Sequence, residues 1–148
     1  MKKLLYPINE EVFKKSVKIR FDNINDGFEK FNHEILEDKN EAELIQYIEN
    51  LYDENGFDNF YVDLYLNRID KNNENQFINM LCEEDKNTYE SVKEEYDYST
   101  VYYKIDKSLI PFITRLSTRE LLFTTIYLTK SNKTIWGNYN MKFPIFYE

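Results

Sequence analysis

The chain has 148 residues, of which 42% are hydrophobic and 17% aromatic, enough apolar surface for one core of ordinary size. Its net charge of -8 argues against general binding to DNA or RNA, whose phosphates attract basic surfaces. The single cysteine excludes an internal disulfide and is typical of a reducing compartment. We therefore expect a single compact domain over residues 1–148.

Hydropathy and charge along the chain indicate a cytoplasmic protein with an acidic middle. Pro7 and Asn9 interrupt the apolar run at the N-terminus, and no apolar run approaches the roughly 20 residues of a membrane helix. Residues 51–100 carry 13 acids and 4 bases, whereas residues 101–148 carry 3 acids and 7 bases. The acidic middle is therefore expected to attract basic partners.

Three segments of the N-terminal half have the patterns of regular structure. Val17–Phe21 alternates apolar and basic residues and is predicted as a half-buried strand. Residues 26–38 carry apolar side chains at helical spacing and are predicted as a helix. A second helix is predicted to begin at Asn40, three residues before Glu43 as in a capping box, and to end at Gly56.

The middle of the chain is predicted to contain strands and one short helix. Phe60–Ile69 alternates like a strand, the polar run Lys71–Asn75 predicts a turn, and Gln76–Cys82 could return as a second strand. Thr88–Tyr96 has the apolar spacing of a short helix. Val101–Ile105 is rich in aromatic and β-branched residues, which favours a strand.

The C-terminal segment is predicted to form a β-hairpin followed by one more strand. Leu121–Thr129 and Thr134–Asn140 are strand-like runs on either side of a short polar turn. The last strand, Lys142–Glu148, contains Pro144, which lacks an N–H donor and therefore favours an edge position. The expected fold is a single α+β domain with a largely antiparallel sheet, a C-terminal β-hairpin plus edge strand, and two or three helices packed on one face.

Residues that carry catalysis or bind metals are scarce. His33, expected as a solvated helical residue, is the only histidine and has Glu37 four residues later, which excludes a zinc-protease helix. Cys82 has no cysteine partner and is followed by three acids, which disfavour a reactive thiolate. The acidic loops Asp53–Asp58 and Asp70–Asn75 do not match a calcium-binding loop. We expect no catalytic, cofactor or metal site, and no enzymatic activity.

One enzyme pattern supplies a second hypothesis, a metal-dependent nuclease. Asp63 lies on a predicted strand, and Glu84 and Lys86 follow the next one. This arrangement resembles the Asp and Glu-x-Lys residues with which many such nucleases bind Mg²⁺ and position a lysine near the attacking water. The acidic surface opposes this hypothesis because it repels a phosphate backbone.

The segment Cys82–Tyr103 combines carboxylates with tyrosines and is the candidate functional segment. Glu90, Glu94 and Asp97 fall at i, i+4 and i+7, so a helix would align these like charges on one face. Tyrosines supply contact area at low entropic cost, and acids at an interface indicate a basic partner. The alternative is a solvated face of an acidic protein. The predicted partner-binding residues are Glu83, Glu84, Asp85, Tyr89, Glu90, Glu94, Glu95, Tyr96, Asp97 and Tyr98.

The leading functional hypothesis is a small binding protein that mimics nucleic acid on the basic surface of a nucleic-acid-handling enzyme. In size, acidity and single-domain form the chain is similar to phage anti-defence proteins, such as anti-CRISPR or antirestriction inhibitors, and to toxin-immunity proteins. The expected partner is a basic protein, with no direct binding to nucleic acid or membrane. A third hypothesis is an adaptor domain that self-associates through its tyrosine-rich strands.

Overall fold

A computed structural model describes residues 2–148. Within this range the strands are β1 (Leu5–Pro7), β2 (Asn32–Leu36), β3 (Phe60–Asp63), β4 (Tyr102–Ile105), β5 (Thr125–Leu128), β6 (Lys133–Trp136) and β7 (Phe143–Tyr147). The α-helices are α1 (Glu10–Ser16), α2 (Ile24–Lys30), α3 (Glu41–Asn55), α4 (Glu74–Asn79), α5 (Glu83–Glu95) and α6 (Ile110–Thr118). The strands form one antiparallel sheet in the order β1-β4-β3-β5-β6-β7-β2, which confirms the predicted α+β class.

The sheet is covered on both faces. Phe60 and Val62 of β3 point into the larger core, which also contains the apolar residues of α3 and α6. Tyr61, between them, points to the opposite face, as alternation along a strand requires. There, Phe13 of α1 stacks on Tyr102 with 3.8 Å between ring centroids. Helices therefore cover both faces of the sheet, rather than one face as predicted.

Helix α3 has the boundaries that the sequence predicts. The Asn40 side chain accepts a hydrogen bond from Glu43 N at 2.8 Å, and the Glu43 carboxylate accepts one from Asn40 N at 3.0 Å. This reciprocal capping box satisfies two donors at the helix start. Gly56 follows the helix at a φ of 83°, a left-handed conformation that favours glycine. Leu44 and Ile48 fix the inner side of α3 in the larger core.

Two N-terminal segments differ from their predictions. Val17–Phe21 is not a strand, although Val17 and Ile19 are buried, so its alternation indicates which side chains face inward rather than backbone pairing. The helix predicted over residues 26–38 is also wrong, because α2 ends at Lys30 and the chain continues as β2, paired with β7. Short apolar runs fit both periodicities, so spacing alone could not separate this helix from the strand after it.

The middle of the chain contains more helix than predicted. The strand predicted over Phe60–Ile69 ends at Asp63. Gln76–Cys82, predicted as a return strand, instead forms part of α4 and the turn after it. Phe77 and Leu81, four residues apart, both enter the larger core, which is the spacing of a helix.

The predicted C-terminal hairpin is present, but the last strand does not lie at the sheet edge. β5 pairs with β6, and β7 lies between β6 and β2. Pro144 is compatible with this interior position because the β6–β7 register runs only from the pair of Lys133 and Tyr147 to the pair of Ile135 and Ile145, so the proline has no partner on β6. The predicted edge position is therefore wrong, and the aromatic C-terminus forms an interior strand of the sheet.

Candidate functional site

Helix α5 is fixed to the rest of the domain by an ion pair on its inner side. The Asp85 carboxylate accepts hydrogen bonds from Arg115 of α6, at 2.8 Å from Nε and 2.7 Å from Nη2. The hydrogen bond to Asp85 raises the pKa of Arg115 above its usual value. Tyr89 and Val92, one and two turns further along, are buried in the larger core. This side of α5 therefore serves the fold.

Three predicted partner-binding residues are part of the interior. Asp85, Tyr89 and Tyr96 are only 2%, 3% and 7% exposed. The Tyr89 hydroxyl donates to Glu74 Oε2 at 2.8 Å, and the Tyr96 hydroxyl donates to the Leu64 carbonyl at 2.7 Å. Because their polar groups are bonded within the domain, these three side chains cannot meet a partner on this surface. We correct the predicted set to its other seven members.

The outer side of α5 carries a row of exposed carboxylates. We call three of these residues the acidic stripe: Glu83, Glu90 and Glu94. They lie within an arc of about 40° around the helix axis and span roughly 16 Å along it, at 1.5 Å per residue. Glu83 lies 3.3 Å from Lys86 within the same helix. Among residues 2–148, neither Glu90 nor Glu94 has an ion pair or a side-chain hydrogen bond. Two members of the stripe are thus free to meet a cation from outside.

Glu84 is exposed on a neighbouring line of the helix. Its carboxylate lies 3.7 Å from Arg115 Nη2, and 76% of its side chain is exposed. The pair is a weak one, because Arg115 directs its short hydrogen bonds to Asp85. Glu84 therefore adds negative charge beside the acidic stripe.

Glu95 and Asp97 bind to their own domain. Helix α5 ends at Glu95, whose Oε1 accepts hydrogen bonds from Leu4 N at 2.9 Å and Leu5 N at 3.0 Å. Asp97 lies beyond the helix and accepts hydrogen bonds from Ser99 N at 2.9 Å and Ser99 Oγ at 2.6 Å. These bonds to Ser99 hold the pKa of Asp97 below its usual value. The predicted continuation of the helical row to Asp97 is wrong, because the helix ends before it.

An open groove of about 810 Å³ lies between the end of α5 and the N-terminal segment. Tyr98 lines this groove with 66% of its surface exposed, and its ring meets Tyr96 edge-on at 4.8 Å between centroids. The lining residues are Lys2, Lys3, Leu4, Pro7, Ser91, Glu94, Glu95, Tyr96, Asp97 and Tyr98. Sequence reasoning missed the N-terminal residues, since only the pairing of β1 with β4 brings them to α5.

The two lysines of the groove have contacts of their own. Lys2 Nζ lies 3.1 Å from an Asp106 carboxylate oxygen, and Lys3 Nζ lies 4.9 Å above the centre of the Tyr6 ring. Within the described part of the chain, neither lysine forms an ion pair with the acidic stripe. The lysines of the groove therefore do not neutralise the stripe, whose one internal ion pair joins Glu83 to Lys86.

The three residues of the nuclease hypothesis have separate partners. Asp63 is 5% exposed, and its carboxylate accepts hydrogen bonds from Thr125 N at 2.8 Å and Tyr127 OH at 3.1 Å. Burial raises the pKa of Asp63 to about 6. Glu84 approaches Arg115 instead, and Lys86 pairs with Glu83 of its own helix. No group of three or more His, Cys, Asp or Glu side chains within residues 2–148 could hold a metal ion.

The single histidine and the single cysteine lie in different parts of the fold. His33 is on strand β2, not on a helix as predicted, and its ring contacts Phe28 at 4.6 Å between centroids. Cys82 is partly buried and immediately precedes α5.

No protein-family model, curated protein or solved structure matches the chain. None of the helices within residues 2–148 combines the length and the apolar character needed to cross a membrane.

Proposed function

We propose that the chain is a small acidic binding protein that occupies the basic surface of a nucleic-acid-handling enzyme and inhibits it. Phage anti-defence proteins and toxin-immunity proteins act in this general manner. The observation that carries the proposal is the acidic stripe, above all Glu90 and Glu94, whose carboxylates form no ion pair among the described residues.

The position of these carboxylates on α5 distinguishes them from charges that serve the helix. Acids in a first turn, such as Glu83 and Glu84, stabilise a helix because they face its positive dipole end. Glu90 and Glu94 have no such role, and as like charges four residues apart they destabilise the helix by about 0.2–0.5 kcal/mol. Glu94 also lies near the negative end of the helix dipole. A cationic partner would relieve both repulsions.

The groove beside the stripe adds an aromatic contact. Tyr98 is exposed and held in place by its contact with Tyr96, so it would lose little conformational freedom on binding. Exposed tyrosines of this kind often supply much of the binding energy at protein interfaces. We propose that the carboxylates of the stripe pair with Lys or Arg of the partner while Tyr98 packs beside them.

The other two hypotheses gain less support. In the nuclease hypothesis, Asp63 and Glu84 would bind Mg²⁺ together. Each carboxylate instead contacts a different neighbour, so the two do not form a metal site. Self-association through tyrosine-rich strands would require free tyrosine faces, but Tyr61, Tyr103 and Tyr127 are 5%, 0% and 5% exposed. Those tyrosines stabilise the monomer instead.

The proposal is tested by affinity capture followed by a competition assay. The tagged chain is incubated with lysate of the source cell and washed first at low and then at high salt. We expect capture of a basic nucleic-acid-binding protein that is released at high salt, because salt screens exposed ion pairs. We also expect the purified partner to lose its binding of labelled DNA or RNA when the chain is added. Capture of no basic protein, or of one that keeps its nucleic-acid binding, would contradict the proposal.

A further inference from the structure

The two edges of the sheet differ in how they are protected. At the β1 edge, the Glu95 carboxylate occupies the N–H groups of Leu4 and Leu5, and Pro7 has no N–H to offer. Such features prevent an exposed strand from pairing with another chain. Strand β1 is therefore a closed edge.

The β2 edge has none of these protections. All five of its residues pair with β7 on one side, and within residues 2–148 no strand lies on the other side. The strand contains neither proline nor lysine, and Asn32, His33, Glu34 and Ile35 are exposed. Ile35 is one of the few large apolar residues exposed by as much as 40%. An open, partly apolar edge of this kind is a template for pairing with a further strand.

We propose that β2 pairs antiparallel with β2 of a second copy of this chain, which joins two sheets into one. The sequence of the strand is self-complementary when Ile35 lies opposite Ile35 of the second copy. The exposed isoleucines then cover each other, and continuing the pairing by one residue beyond β2 places His33 of each copy opposite Glu37 of the other. The imidazole of each histidine can then donate a hydrogen bond to the Glu37 carboxylate across the junction.

Other registers are less favourable. Centring the pairing on Glu34 would place two carboxylates opposite each other, which destabilises a strand pair. Centring it on His33 would place two imidazoles opposite each other and separate each histidine from Glu37. Burial of the isoleucine pair and the two His33–Glu37 contacts thus favour the Ile35 register.

This junction is independent of the acidic stripe. Strands β1 and β2 are the two ends of a seven-stranded sheet, so they are separated by roughly 28 Å at 4.7–4.8 Å per strand. The C-terminal end of α5 contacts the β1 end through Glu95. A dimer formed through β2 would leave both copies of the stripe free.

The mass of the full-length chain in solution tests the proposal. Sedimentation equilibrium from micromolar to near-millimolar concentration should give a monomer–dimer equilibrium. Ile35→Lys places a charge on the edge and should weaken the dimer by about tenfold or more. Glu11→Lys, at an exposed residue of α1, should leave the equilibrium unchanged. Circular dichroism verifies that both variants are folded. A wild-type chain that is monomeric at every concentration, or a dimer unaffected by Ile35→Lys, would overturn the proposal.

Disulfide trapping tests the register. In a Cys82→Ser background, Ile35→Cys places two thiols opposite each other and should give a covalent dimer under mild oxidation. Glu34→Cys places the thiols diagonally, about 7–8 Å apart, and should give little cross-linking. The reverse result, with cross-linking at position 34 and none at position 35, would overturn the Ile35 register.

Discussion

Asp85 of α5 and Arg115 of α6 form a two-point ion pair that fixes the orientation of the acidic helix. The two N–H···O distances are 2.8 and 2.7 Å, and Asp85 is 2% exposed. Both side chains are well removed from water, with 13% of the Arg115 side chain exposed. The pair holds the inner side of α5 against the domain, so that the acidic stripe faces solvent.

Replacing Asp85 by alanine should destabilise the fold by about 3–5 kcal/mol, because it leaves a largely buried guanidinium without its partner. Glu84→Ala should change the free energy of unfolding by no more than about 0.5 kcal/mol, since Glu84 is exposed and only 3.7 Å from the same arginine. Urea unfolding of the two variants checks the difference. Equal stability losses would mean that the ion pair does not fix α5.

Glu94 and Glu95 are adjacent, and we expect their roles to be separable. Glu95→Ala should destabilise the fold by about 1–3 kcal/mol, because the N–H groups of Leu4 and Leu5 lose their acceptor. Glu94→Ala should leave stability within about 0.5 kcal/mol of the wild type. Urea unfolding measures both changes. A stability loss in Glu94→Ala as large as in Glu95→Ala would show that the stripe is structural.

Asp63 should make stability depend on pH between about pH 4 and pH 6. Its pKa is raised by burial to about 6, from an ordinary value of 3.8, so between these pH values the folded chain holds a proton that the unfolded chain has released. The stabilisation is fully present below about pH 4 and is lost as the pH rises through 6. The difference between the two pKa values corresponds to about 3 kcal/mol of folding free energy.

Urea unfolding at pH 5 and pH 7.5, with wild type and Asp63→Asn compared, isolates this effect. The wild type should lose more stability between the two pH values than the variant, because asparagine does not titrate. Other groups contribute equally to both proteins and cancel in the difference. Identical pH profiles would show that Asp63 titrates in the folded chain as it does when unfolded.

Removing either of two hydroxyl groups in α6, three residues apart, should change the stability of the fold in opposite directions. Among the described residues Thr114 Oγ1 is buried without a hydrogen-bond partner, so Thr114→Val, which keeps the shape, should raise stability by about 1 kcal/mol. Ser117 Oγ accepts a hydrogen bond from Thr124 N at 3.1 Å, so Ser117→Ala should lower stability by about 1–3 kcal/mol. Thermal or urea unfolding of the two variants measures the sign of each stability change. A loss of stability in Thr114→Val would show that its hydroxyl is satisfied.

Local chemistry was enough to predict α3 and the C-terminal hairpin from sequence. Asn40, Glu43 and Gly56 carry the start and end signals of α3 within the segment itself. The predictions of secondary structure failed where strand pairing between residues far apart in the sequence determines the backbone conformation. Ile35 lies in a strand because β7, more than a hundred residues later, pairs with it through Pro144. No window of local sequence contains that information.

Part of the candidate site could also be predicted from local sequence patterns. Helical spacing within α5 identified Glu90 and Glu94 as exposed neighbours, since both lie on the side opposite the buried Tyr89 and Val92. The inward role of Asp85 was not predictable, because its partner Arg115 lies 30 residues away on another helix. Charge counting treats paired and free carboxylates alike, so it could not tell these residues apart.

Binding by matched charge reversals tests the central proposal most directly. Glu83, Glu90 and Glu94 are changed together to lysine, and a control changes the exposed residues Glu11, Glu29 and Glu54 to lysine. Each variant raises the net charge from -8 to -2, because each of the three changes adds +2. Both are compared with the wild type for affinity toward the captured basic partner at low salt.

We predict that the stripe variant loses at least about tenfold in affinity, while the control stays much closer to the wild type, because the interaction is local to the stripe. Equal losses in the two variants would mean that net charge alone governs binding. Unchanged affinity in the stripe variant would contradict the assignment of this surface.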